Sequence, residues 1–207
     1  MTMGMRRSAN IFFLSLILGF FSACGESKTG TSGGGYKPTD LNGSAVVTPI
    51  YVYSGGQRTG NLGGRAGADQ FCESALPTDL NGMEVHALIS VNANDEIADM
   101  VTNYDLPTDK PFVGYGSETV IAESWTDLLD GTLDVSLEAA GILGMANTFW
   151  SGSNANGTLA VIHCNEWSSA GGGVFGAAGA STVIDSTWTY SISAGCSALR
   201  DVICVAY

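Results

Sequence analysis

Residues 60–77 read GNLGGRAGADQFCESALP, and the period within this stretch decides the fold class. Ala68, Phe71, Cys72 and Ala75 fall at i, i+3, i+4 and i+7, one face of a helix of about three turns, and Pro77 stops it. A cysteine on that face points inward, so Cys72 is expected in the core with Phe71. Just upstream, Ile50-Tyr51-Val52-Tyr53 is a β-branched and aromatic run that predicts a buried strand. Residues 54–64 between the two read as turn-rich.

Downstream, Leu80-Asn81-Gly82-Met83 is a turn signal leading into residues 85–91, expected to form a central strand. Residues 84–138 hold 12 of the 20 acids against one base, Lys110, and read as an exposed, loop-rich region. A short helix is expected near residues 124–129, capped by Ser124 with Asp127 at its positive end. Residues 149–152 and 159–164 flank the polar turn Ser153-Asn154-Ala155-Asn156-Gly157 and read as a hairpin. Val202-Ile203-Cys204-Val205 is a closing strand. Two short helices, short mixed or antiparallel strands and long loops describe an α+β domain over residues 49–207.

The first residues follow a different logic. Arg6 and Arg7 precede an apolar run over residues 11–21 and then Ser22-Ala23-Cys24. That is a charged n-region, an h-region and a small-residue cleavage site, so residues 1–23 read as a signal peptide. The run is shorter than the roughly 20 apolar residues of a membrane span. Small residues directly before a cysteine resemble the lipobox of bacterial lipoproteins, although Phe21 stands where that pattern usually has leucine. The resemblance implies cleavage before Cys24 and a lipid on Cys24, which leaves four cysteines to pair. Residues 24–48, rich in Gly, Ser, Thr and Lys, read as a flexible tether reaching roughly 25–30 Å. Gly25 is not the aspartate that marks inner-membrane retention in some bacteria, so an outer-membrane lipoprotein with an extracytoplasmic domain is expected.

Formal charge is −12, and it becomes −14 once Arg6 and Arg7 leave, because every acid lies beyond Cys24. Such a surface repels phosphate backbones and sulfated chains, which argues against nucleic acid or a heparin-type polyanion as partner.

Several segments, taken in order, resemble the endostatin-like branch of the C-type lectin-like superfamily. They are Gly67-Ala68-Asp69-Gln70-Phe71-Cys72, Ser124-Trp125-Thr126-Asp127-Leu128-Leu129-Asp130-Gly131, Trp150-Ser151-Gly152-Ser153, Cys164-Asn165-Glu166-Trp167, Cys196 and Ile203-Cys204. A family of uncharacterised bacterial secreted proteins and lipoproteins is more similar still, since it shares the strand before Gly60-Asn61-Leu62-Gly63-Gly64. The resemblance implies a disulfide-stapled fold with Cys72 joined to Cys204 and Cys164 to Cys196; four cysteines by themselves permit three connectivities. It implies no reaction. The histidines of endostatin's zinc site, its heparin-binding arginines and the calcium tripeptides of sugar-binding lectins have no counterpart here.

No coherent catalytic set emerges. Residues 30–34 fit G-x-S-x-G but lie in the tether, and residues 171–176 fit G-x-G-x-x-G without a strand directly before them. His86 and His163 are the only conventional bases near neutral pH, and neither sits in a triad or metal spacing. Asp95, Glu96, Asp99, Asp105 and Asp109 have the chemistry for calcium, but their spacing matches no loop motif, so a solvated face is favoured and no metal or cofactor is assigned. Trp125 and Trp150 read as core residues. Trp167, Asn154, Asn156 and Asn165 read as candidate ligand contacts, lying in or beside turns of a stretch with little charge.

These features together lead us to expect a surface-anchored lipoprotein carrying a non-enzymatic binding domain, adhesin-like or recognising an extracellular or envelope polymer or protein. The rival expectation is an extracytoplasmic hydrolase of an envelope polysaccharide or peptide, using Glu166 with His163 or an acidic-loop carboxylate. Mass spectrometry of the mature N-terminus is expected to find it at Cys24 bearing lipid; an unmodified Cys24, or cleavage elsewhere, would refute the anchor.

Overall fold

The computed structural model describes residues 47–207. Expectations that fall on residues 1–46, namely the signal peptide, Cys24 and most of the tether, lie outside the described residues. The elements are β1 (Ile50–Arg58), α1 (Gly64–Ser74), β2 (Val85–Ala87), α2 (Met100–Asn103), β3 (Phe112–Gly114) and β4 (Thr119–Ala122), then α3 (Trp125–Leu128), β5 (Thr148–Trp150), β6 (Phe175–Ala180), β7 (Ile192–Gly195) and β8 (Arg200–Ala206). This is an α+β chain with short helices around a mixed, open sheet of eight strands, seven in the order β4-β3-β1-β8-β5-β6-β7 and the eighth, β2, paired with β8 off that path. The pairs β1/β3 and β5/β8 are parallel; the others are antiparallel.

β8 is the centre of the assembly. One edge pairs with β1, and the other takes β5 at Asp201 and Val202 and then β2 from Cys204 to Ala206. Its side chains alternate between two cores, as a period of two requires. Ile203 and Val205 join Ile50, Val52, Phe112, Trp125 and Phe149 on one face. Val202, Cys204 and Ala206 join Tyr53, Ala68, Cys72, Trp150 and Trp167 on the other.

The structure departs from the sequence reading in four places. Residues 54–58, expected as turn, continue β1, with a register shift between Ser54 and Gln57. Glycine misled there: a Cβ on Gly55 would stand 2.9 Å from Cys204 Sγ, and Gly56 has φ +92°, so the pair lets the strand pass the disulfide rather than turn. The strand expected over residues 85–91 is only Val85–Ala87 and shares one edge of β8 with β5; residues 88–91 lie beyond it but stay buried, with Leu88 N–H still donating to Ile203 O and Ser90 N–H to Ser151 O. The hairpin expected from residues 149–164 reduces to one bridge, Ser153 with Leu159, because β5 pairs with the distant β6 and β8 instead. Finally, the acidic stretch is not only surface. Ile97, Met100, Leu106, Phe112, Ile121, Leu128, Leu133 and Leu137 line one core from within it, and it contains α2, a helix the sequence reading did not anticipate.

Other elements lie where the periodicity puts them. In α1, Ala68 and Cys72 are buried, while Phe71 is half-buried with the Arg58 guanidinium 3.8 Å from its ring centroid. Ser124 caps α3 by accepting from Asp127 N–H at 3.2 Å.

Cys72 is bonded to Cys204 and Cys164 to Cys196, with Cα separations of 5.5 and 5.7 Å. Two disulfides indicate an oxidising location outside the cytoplasm. The first ties α1 to the central strand across 132 residues of sequence. In the chain-entropy description, closing such a loop contributes about 5 kcal/mol. Replacing both Cys72 and Cys204 with alanine is expected to lower the urea midpoint sharply or abolish folding; a variant melting within a few degrees of the parent would show that the bond is dispensable.

Candidate functional site

Two polar regions stand out among the described residues. The first is a half-buried network that joins α1 to β2 and the acidic stretch. Arg65, on the first turn of α1, meets the Asp95 carboxylate through Nε and Nη2 at 3.0 and 2.9 Å and donates to the carbonyls of Ala87 and Ile89 at 2.6 Å each. Tyr104 donates its hydroxyl to Asp95 Oδ1 at 3.0 Å. One turn along α1, Asp69 accepts from Ala87 N–H at 2.8 Å and holds His86 Nδ1 at 3.1 Å. The other ring nitrogen, Nε2, lies 3.4 Å from Glu84 Oε1, and the ring lies over Tyr104 with centroids 4.3 Å apart. Asp69 thus belongs to the motif by which α1 was read, and its role is to fasten that helix to β2.

The carboxylates of the acidic stretch that have the chemistry for calcium are largely committed within the fold. Asp95 is paired with Arg65. Glu96 accepts from Leu159 N–H at 2.9 Å, and Asp99 accepts from Glu96 N–H at 3.1 Å. Asp105 and Asp109 are exposed. Among the described residues, no group of three or more His, Cys, Asp or Glu is placed to hold a metal ion.

The second region comprises two turns of the weakly charged stretch. Asn154 and Asn156 are exposed at the tip of the loop closed by the Ser153–Leu159 bridge. Their side chains brace that loop: Asn154 Nδ2 donates to Thr158 Oγ1 and Leu159 O, and Asn156 Oδ1 accepts from Thr158 Oγ1 at 2.7 Å. The loop base is stitched to the acidic stretch through Ala98 N–H to Gly157 O and Leu159 N–H to Glu96.

The other turn, Cys164–Trp167, is left-handed. Cys164, Asn165, Glu166 and Trp167 have φ of 52, 53, 55 and 59°. It is held from several sides. Cys164 is bonded to Cys196, His163 Nδ1 accepts from Glu166 N–H at 2.9 Å, and Trp167 O accepts from the N–H groups of Leu62 and Gly63. Asn165 and Glu166 are exposed. Trp167 is not: the surface role expected of it is wrong, because its indole is fully buried and donates to Ser90 O at 2.8 Å. Local polarity suggested exposure, whereas the left-handed backbone turns the ring inward against Trp150, 5.6 Å away between centroids. No side-chain hydrogen bond joins the two turns among the described residues. The network around Arg65 and His86 is not legible in the sequence, since most of its bonds join residues 9 to 30 apart and only Asp69 lies in a recognised motif.

Burial works against a charged His86, but the bonds to Asp69 and Glu84 outweigh it and hold the imidazole pKa above the ordinary value of about 6.5, with Arg65 opposing. Tyr104 and Tyr207 complete its surroundings. A raised folded-state pKa means the stabilisation is complete below the unfolded value and disappears as pH rises through the folded one. Urea unfolding followed from pH 5.5 to 8.5 is expected to show stability falling across the upper part of that window, and His86→Gln is expected to flatten this slope. An unchanged slope in the variant would show that His86 is not its source.

Residues 55–184 match the family described as "Protein of unknown function (DUF1554)", a span that takes in α1, the acidic stretch, the polar loop and the left-handed turn. No curated protein matches the chain. With well over half its residues inside that match, the chain belongs to the DUF1554 family.

Proposed function

We propose that the chain is a non-enzymatic binding module displayed outside the cell, tethered by a lipid on Cys24 and built on a C-type lectin-like scaffold of the endostatin-like kind. The scaffold reading is supported by two features: the first and last strands pair side by side, and the disulfides join the cysteines that the resemblance implies. The partner is an extracellular or envelope polymer or protein, met on the exposed turns that carry Asn154, Asn156, Asn165 and Glu166.

One observation carries the binding reading over the hydrolase. His86 faces Asp69 and Glu84 with its two ring nitrogens, and His163 spends its Nδ1 lone pair on the backbone N–H of Glu166, which leaves the proton of the neutral ring on Nε2. A general base needs a free nitrogen within reach of substrate. The exposed turns, by contrast, are braced from beneath, so binding orders little and costs little conformational entropy.

Incubating the purified chain with isolated envelope polysaccharide, and separately with envelope protein, tests the two readings. Retention of one fraction with its chains unbroken is expected. New reducing ends or amino termini, produced by the parent and lost in His163→Ala or His86→Ala with the fold intact, would make the protein a hydrolase.

A further inference from the structure

At the centre of the turn Leu80-Asn81-Gly82-Met83 stands a chemically reactive pair. The side-chain amide of an asparagine followed by glycine is open to attack by the next backbone nitrogen, because glycine places no Cβ in the way. Two such pairs lie among the described residues, Asn81-Gly82 and Asn156-Gly157; a third, Asn42-Gly43, lies outside them. The fold treats the two differently. Gly157 is buried, its N–H donates to Asn154 O at 2.9 Å, and its carbonyl accepts from Ala98 N–H at 3.1 Å and from Ser90 Oγ at 3.2 Å. Asn156 Oδ1 is held by the N–H and the hydroxyl of Thr158, at 3.3 and 2.7 Å. Both reacting groups are thereby pinned. Asn81 and Gly82, by contrast, are exposed, and neither the Asn81 amide nor the Gly82 N–H makes a hydrogen bond among the described residues. A φ of −54° and ψ of 130° at Asn81, with φ +95° at Gly82, make a type II turn closed by Met83 N–H to Leu80 O at 3.1 Å. The space around Gly82 is open, since a Cβ there would meet nothing within 4 Å.

We propose that Asn81 is a site of spontaneous modification, at which the folded protein converts the side-chain amide into aspartate and isoaspartate, while the fold protects Asn156. The Gly82 nitrogen, losing its proton, attacks Asn81 Cγ; an N–Cγ bond forms, and the Cγ–Nδ2 bond breaks with release of ammonia. Water then opens the cyclic imide. Attack at Cγ restores the main chain and leaves aspartate, whereas attack at the main-chain carbonyl leaves the chain running through Cγ as isoaspartate. Rotation about ψ of Asn81 brings the reacting atoms together, and the one hydrogen bond across the turn is what opposes it. At Asn156 the same rotation would also break the bonds to Asn154, Ala98, Ser90 and Thr158. Isoaspartate lengthens a turn whose flanks, buried Leu80 and half-buried Met83, pack against the second core. Either product adds a carboxylate between Asp79 and Glu84 in a chain that is already acidic. The assignment is independent of the binding reading above.

Incubating the purified full chain, disulfides intact, in mildly alkaline heavy-oxygen water and digesting it in ordinary water provides the test, because only conversions of the intact protein then carry the label. Peptide mapping by mass spectrometry, with isoaspartate separated from aspartate by chromatography, reads each asparagine. Label is expected to enter at Asn81 several times faster than at Asn156, and as both products. After reduction and unfolding in urea the two sites are expected to convert at similar rates, which assigns the protection of Asn156 to the fold. Gly82→Ala, which puts a methyl group beside the attacking nitrogen, is expected to slow labelling at Asn81 severalfold. The proposal is overturned if Asn156 is labelled as fast as Asn81 in the folded chain, if Asn81 is labelled only after unfolding, if aspartate appears there without isoaspartate, or if Gly82→Ala leaves the rate unchanged.

Discussion

Strand β8 must be satisfied on four sides at once, and the rest of the structure follows from how that is done. Both its edges are paired, and residues 201–206 are buried throughout. An unpaired backbone amide or carbonyl at such a depth would cost about as much as a lost hydrogen bond. The strand therefore needs β1 along one edge and two separate pieces, β5 and β2, along the other. Alternation sends Ile203 and Val205 into one core and Val202, Cys204 and Ala206 into the other, so a single strand fixes the position of both. Because Cys204 lies on the second face, the disulfide can reach only an element packed there, and α1 is that element.

Asp201 shows how closely the edge arrangement is specified. Its carboxylate is almost fully buried and has no base beside it; Ser54, Gln57 and Asn147 donate to it instead. Three neutral donors from β1 and from the residue just before β5 therefore converge on one charge in the central strand. Removing a donor would leave part of a buried charge unsatisfied, which is far more costly than losing an exposed bond.

Three of the four lysines and arginines among the described residues lie inside or against the body of the domain. Arg65 is enclosed by carbonyls and carboxylates, Arg58 covers Phe71, and Arg200 lies beside Trp150. Most exposed acids thus lack an internal partner, and the surface field is negative by default. Against that field, the stretch around the polar loop and the left-handed turn is nearly uncharged, with Glu166 as its exception. Rigidity and strain meet at the same turn. Strained conformations persist where their surroundings over-determine them, here through a disulfide, an indole and two backbone bonds to the segment before α1.

Features whose cause is local were legible in the amino-acid pattern. The i, i+3, i+4, i+7 spacing set α1 and buried Cys72, Ser124 capped α3, and the apolar run Val202-Ile203-Cys204-Val205 became β8, because side-chain period and capping act over a few residues. Tertiary structure decided whatever required partners far apart in the chain. Gly55 and Gly56 were read as a turn and are a bulge, since the object they avoid, Cys204 Sγ, is remote in sequence. The residues after β5 and before Cys164 looked like a hairpin, but β6 and β8 offered longer-range pairing for β5. Trp167 sat among polar neighbours and was read as surface, yet four positive φ angles, invisible to any hydrophobic period, turned it into the core and left Glu166 outside. A period reports which face a side chain takes only while the backbone keeps an ordinary conformation; where the fold bends it out of that range, the contacts alone decide.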